Sequence, residues 1–107
     1  MPDGGGDFFR ALADPTRRRI LEILADRGEL AVGQLAAEFP DLVASGVSKH
    51  LMGLRAAGLV HVTRQGRRRL YRIAPETLAE ALAPWFFRYE RHWGEALDLL
   101  RALSEPG

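Results

Sequence analysis

Apolar residues along this chain recur first with the period of a helix, then with that of a strand, then with that of a helix again. Ile20, Leu21, Ile23 and Leu24 put one stripe on a helix that begins at Asp14-Pro15 and stops at Gly28. Aspartate is a good cap there, and proline at the first helical position gives up an N–H that no partner needs. A short helix is expected before it, from a cap at Asp7 through Ala13, preceded by a flexible tail over residues 1–6 with three consecutive glycines. After an extended Glu29-Leu30, the spacing of Val32, Leu35, Ala36 and Phe39 predicts a helix over residues 31–39, which Pro40 ends. The next is expected over 41–57 with Gly58 as its stop; Val47, Leu51 and Leu54, at i, i+4 and i+7, must point inward.

Residues 59–63 and 70–73 alternate and are rich in strand formers. Gly66 lies between them, where a tight hairpin tip needs a glycine. Such a hairpin is marginal alone and must lean on the helices. From Pro75 onward Leu78, Leu82, Trp85, Tyr89, Trp93, Ala96, Leu100 and Leu103 follow at steps of three or four, one long amphipathic stripe that Pro84 should kink or divide. The order predicts a mainly α winged helix-turn-helix: three to four helices, a two-stranded antiparallel wing and a long C-terminal helix. Residues 7–74 form the winged domain and 75–107 the terminal helix.

Composition narrows the class. With 107 residues, 47% hydrophobic and 27% charged, the chain has the size and balance of one globular domain. No apolar run approaches about eighteen residues and the start has no signal-peptide pattern, so a cytoplasmic protein is expected, with no membrane partner. Without cysteine there is no disulfide, thiolate metal site or cysteine nucleophile. No GxSxG, P-loop or HExxH pattern occurs, so no catalytic residues, metal or cofactor are assigned and an enzyme is not expected.

The net charge of +1 conceals an asymmetry. Residues 42–75 hold seven bases (Lys49, Arg55, Arg64, Arg67, Arg68, Arg69, Arg72) and no acid, so this segment carries +7 and the remainder −6. Displayed on one side of a fold, that is the electrostatic footprint of a nucleic-acid binder, and double-stranded DNA is the partner expected of a winged helix. On the helix over 41–57, the face opposite Val47 and Leu51 consists of Ser45, Lys49, Met52 and Ala56, flanked by Ser48 and Gly53: small, polar and basic, as close approach to a groove requires. Ser45, Ser48 and Lys49 are the candidate base-side residues. Met52 suits a thymine methyl or an irregular gap in the core. His50 suits packing and phosphate positioning, and Arg55 the DNA backbone. Arg64, Arg67 and Arg68 are candidate phosphate or minor-groove ligands at the wing, with Arg69 and Arg72 equally outward strand residues. Arg19 reads as a partner of a surface ion pair, and Arg17 or Arg18 as a phosphate contact at the helix start.

The wording of the sequence also resembles a known family. Phe9-Arg10-Ala11-Leu12-Ala13-Asp14-Pro15-Thr16-Arg17-Arg18-Arg19-Ile20-Leu21, then Val47-Ser48-Lys49-His50-Leu51, then Leu54-Arg55-Ala56-Ala57-Gly58-Leu59-Val60 resemble the ArsR-type winged-helix repressors of prokaryotes. The resemblance implies a homodimeric repressor on an imperfect palindrome in promoter DNA, often its own. It also implies dimerisation through the first and last helices, which places Leu12, Leu78, Leu82, Trp85, Tyr89, Trp93 and Leu100 at the interface. Metal-sensing members carry Glu-Leu-Cys-Val-Cys-Asp-Leu; here Glu29-Leu30-Ala31-Val32-Gly33-Gln34-Leu35 lacks both thiolates, so the likeness is to a cysteine-free branch. Other members bind zinc through Asp-x-His and His-x-x-Glu pairs, and the single His92 here, between Glu90 and Glu95, cannot serve both. In the turn, Val43 stands where a Ser or Thr would cap the recognition helix, which leaves Asp41 to cap an earlier start. Two alternatives remain open: an unknown small-molecule effector bound at the aromatic seam, and a protein-interaction module that uses the exposed aromatics without DNA.

Overall fold

A computed structural model describes residues 4–104. The chain is already helical at Gly4. Helix α1 (Gly4–Ala13) takes in the glycines expected as tail, so the backbone at Asp7 lies inside the helix; residues 1–3 lie outside the described residues. Packing accounts for this early start against a poor helix propensity: α1 buries Phe8 and Ala11 between its neighbours. Helix α2 (Pro15–Arg27) begins as its sequence dictates, with the Asp14 carboxylate accepting the backbone N–H groups of Thr16 and Arg17 at 2.9 and 3.0 Å. Gly28 ends it at φ +84°.

The next segment departs from the expected helix over 31–39. Leu30–Ala31 form a short strand, β1, because they pair with Tyr71 and Leu70 of the hairpin; helix α3 (Val32–Ala36) starts only where that ladder lets go. Gln34 Oε1 accepts the Ala31 N–H at 2.8 Å, which fixes the start. Beyond Ala36 the bonds tighten to Glu38 N–Leu35 O and Phe39 N–Ala36 O, and the helix is over before Pro40.

Helix α4 (Ala44–Ala56) starts three residues later than the expected residue 41, with Val43 at the cap position. Val43 has extended backbone and no side chain able to cap, and Asp41 remains in the turn. The end is well made. Gly58 at φ +77° lets Leu59 N bond Leu54 O and Gly58 N bond Arg55 O, which turns the chain directly into the hairpin.

Strands β2 (Val60–Gln65) and β3 (Arg68–Ile73) form that hairpin around Gly66-Arg67, with Gly66 at φ +64° as a two-residue turn with glycine first requires. The sheet order is β1-β3-β2, all antiparallel, so the expected two-stranded wing gains a third strand at its base. Helix α5 (Pro75–Arg88) runs through Pro84 without ending. The break in the expected long terminal helix comes at Tyr89, followed by a 3-10 turn (Glu90–His92) and helix α6 (Trp93–Ser104). Aromatic capture accounts for its place: the Trp93 indole N–H donates to Phe86 O at 2.6 Å and its ring stacks on Phe86 at 4.9 Å, satisfying a carbonyl at the end of α5.

Ile20, Leu24, Leu35, Val47, Leu51, Leu54 and Leu59 form the centre of the core, and among the described residues no charged side chain is buried. Each such side chain contributes about 1.5–3 kcal/mol relative to exposure. Thus α4 is pinned by one face. No described helix is long and apolar enough to cross a membrane.

Candidate nucleic-acid interface

With Val47, Leu51 and Leu54 fully buried, the 100° step per residue turns the other face of α4 outward. Ser45, Lys49, Met52 and Ala56 are exposed there, while Ser48 and Gly53 are half-buried at its margins. Val43 at the cap puts Ser45 in the first turn of α4. Met52 is 66% exposed, so its gap-filling alternative falls away. Arg55 is exposed near the end of the helix. His50 is half-buried on the side of α2, where Nδ1 accepts from Arg17 Nε at 3.3 Å.

Arg64, Arg67 and Arg68 are exposed at the wing as expected. The register also gives the face of Arg69, which spacing alone left undecided. Arg69 lies directly opposite Arg64, so their side chains share one face of the ribbon. Two guanidinium groups in that relation repel until an anion joins them. Arg68 is opposite Gln65 on the other face and donates to Gln34 Oε1 at 3.4 Å, which draws the wing towards the start of α3. Arg72, opposite His61, points with it towards α5, where His61 pairs with Glu76. The Glu76 carboxyl is held below its usual range, first by its own backbone N–H and then by His61. The base of the wing is thereby tied to the C-terminal helices.

The charge pattern survives folding. All seven bases of residues 42–75 are exposed, and none has a carboxylate within ion-pair distance among the described residues. Three bases elsewhere are neutralised: Arg19 pairs with Glu22, Arg27 with Glu38 and Arg101 with Asp98. Arg18 donates to the Leu12 carbonyl. The Asp14 carboxyl lies below its usual range, chiefly because of the Arg17 backbone N–H, with the Thr16 N–H adding to it.

The residues assigned to dimerisation divide into two groups. Leu12, Leu78 and Leu82 pack partly against their own core. Trp85, Tyr89 and Leu100 are exposed, and Trp93 is half-buried; the Trp85 ring lies tilted against Tyr89 at 5.5 Å and edge to face with Trp93 at 5.2 Å between centroids. No residue of α6 is buried, and Leu97, Leu99, Leu100 and Leu103 all face outward. Among the described residues no three His, Cys, Asp or Glu side chains gather in a group able to hold a metal ion.

Comparison with known proteins agrees with this geometry. A family described as "Helix-turn-helix domain" matches residues 12–63. The HTH-type transcriptional regulator CmtR of Mycobacterium tuberculosis is 53% identical over 68% of this chain and 60% of its own length. The HTH-type transcriptional regulator Rv2034 of the same species is 43% identical over 83% of this chain and 78% of its own. The crystal structure of the ArsR family transcriptional regulator RHA00566 superposes with a TM-score of 0.70 at 34% identity, covering 88% of this chain and 94% of the other. A recognition-type helix, a basic wing and these likenesses together show that the chain belongs to the ArsR family of winged helix-turn-helix transcriptional regulators, proteins that act by binding DNA and not by catalysis.

Proposed function

We propose that the chain is a homodimeric repressor that recognises a pseudo-palindromic site in promoter DNA, its own promoter included, and blocks transcription by occupying it. Each α4 enters a major groove with Ser45, Ser48 and Lys49 towards base edges and Met52 towards a thymine methyl. His50 and Arg55 approach the backbone beside it. Arg64, Arg67 and Arg68 hold phosphates or the minor groove from the wing. The observation that carries this reading is the acid-free segment 42–75, whose seven bases are all exposed and lack carboxylate partners among the described residues.

Residues 7–74 then serve as the DNA-binding unit and 75–107 as the dimerisation element. The uncovered leucines of α6 support that division, because an amphipathic helix whose leucines all face outward needs a second surface. A second copy also gives the affinity that one helix lacks, since two half-sites combine their free energies. The test is selection of genomic fragments by the purified protein, followed by a footprint. Two protected half-sites about 34–36 Å apart are expected. Ser48→Ala with Lys49→Ala should abolish protection while leaving the dimer intact. A chain that selects no fragment contradicts the reading, and a variant that keeps the same footprint removes α4 from the contact.

A further inference from the structure

Arg17 stands in the first turn of α2, yet its side chain belongs to α4. Its Nε donates to His50 Nδ1 at 3.3 Å, and its guanidinium lies over Gly53, almost one turn further along α4. A methyl built on Gly53 would stand 2.7 Å from Nη2 and 2.9 Å from Cζ of Arg17, closer than carbon atoms approach. The backbone does not call for glycine at this position, because its φ is not positive. Glycine inside a helix costs stability relative to alanine, so what it supplies here is room for the guanidinium.

The two η-nitrogens of Arg17 have no hydrogen-bond or ion-pair partner among the described residues. Asp14, the carboxylate of this corner, is engaged by the backbone N–H groups of Thr16 and Arg17. A histidine that accepts at Nδ1 keeps its proton on Nε2, which adds another donor nearby. Gly53 flanks the outward arc of α4 between His50 and Lys49, and the guanidinium borders an open depression of about 300 Å³ between α1, α2 and α4.

The geometry points to a phosphate seat: Arg17, braced by His50 in the gap over Gly53, takes a backbone phosphate of DNA beside the groove that α4 enters. An arginine fork whose position is fixed before binding loses less freedom on making two parallel bonds to a phosphate. This seat rests on the reading of α4 as the DNA-contacting helix.

Binding to a mixed-sequence duplex about three helical turns long would be measured against salt for the full chain and for four variants: Arg17→Ala, Arg17→Lys, Gly53→Ala and the double variant R17A/G53A. Arg17→Ala should flatten the slope of log affinity against log salt by about 0.9 per subunit, and Arg17→Lys should restore it. Gly53→Ala should weaken binding several-fold while melting no lower than the parent, and should cost nothing further in the R17A background. An unchanged slope in Arg17→Ala overturns the seat, as does a Gly53→Ala loss of equal size with and without Arg17. If the parent ignores duplex DNA in low salt, the reading of α4 fails and the seat fails with it. If the parent binds with its full slope and only the variants fail to differ, the seat alone is lost.

Discussion

Asp14 shows how one residue ties local chemistry to the DNA face. Its carboxylate caps α2, and the helix it starts delivers Arg17 to His50 on α4. Asp14→Ala should cost about 0.5–2 kcal/mol of stability in a denaturant titration, the range for loss of a capping acceptor. The depressed carboxyl fixes the sign of the pH effect. Its contribution is complete above the unfolded value, about pH 4, and is lost as pH falls through the lower folded value. Asp14→Ser keeps the cap without the titration, so it should flatten the acid limb of the stability curve; an acid limb as steep as the parent's would rule out Asp14 as its source. In the core, Leu51→Ala should cost about 2–5 kcal/mol, because the side chain is fully enclosed and its removal leaves a cavity. Asp14 was legible in the sequence because a cap, a proline and a hydrophobic stripe all agreed. For Arg17 the sequence offered a phosphate contact shared with Arg18 but not the place over Gly53, since that depends on what glycine lacks, and only packing shows which side chain enters the gap.

At the scale of elements, the wing sets stability against binding. Arg64 and Arg69 face one another across β2 and β3, and like charges so placed destabilise a ribbon by a few tenths of a kcal/mol. Arg69→Thr should therefore raise the melting temperature slightly while weakening DNA binding and its salt dependence; a variant that binds as tightly as the parent removes Arg69 from the phosphate contacts. The hairpin and its glycine were legible because alternation and turn chemistry are local. Strand β1 was not, because two residues carry no periodic signal and become a strand only when β3 lies beside them. The same pairing shortened the helix expected over 31–39. The C-terminal break went unread for a related reason: Pro84 is the strongest local breaker, yet the chain turns at Tyr89, where Trp93 folds back on Phe86. Trp93→Phe keeps a ring for stacking and removes the N–H donor. Amide exchange around residues 89–93 should quicken in that variant, and unchanged protection would show that stacking alone holds the junction.

The molecule as a whole is more open than its length requires. Its radius of gyration is 16.1 Å, against about 13 Å for a compact chain of this size. The excess fits a terminal helix that buries none of its own residues. Leu100→Asp with Leu103→Asp should leave the winged unit folded, convert the protein to a monomer in sedimentation and lower DNA affinity; a dimer that persists in this variant moves the interface away from α6. Charge asymmetry is the property of the whole molecule that was most legible beforehand, because it needs only the order of residues. Folding could have neutralised it with acids from other elements, as happens where Arg27 meets Glu38, and it did not. The most direct test of the central claim is a salt titration of duplex binding by the purified chain. If the exposed bases of residues 42–75 meet phosphates in a dimer, affinity should fall by about 10³–10⁵ between about 50 and 200 mM salt, as it does for six to ten phosphate contacts. Binding that is absent in low salt, or that stays level across this range, would contradict the account.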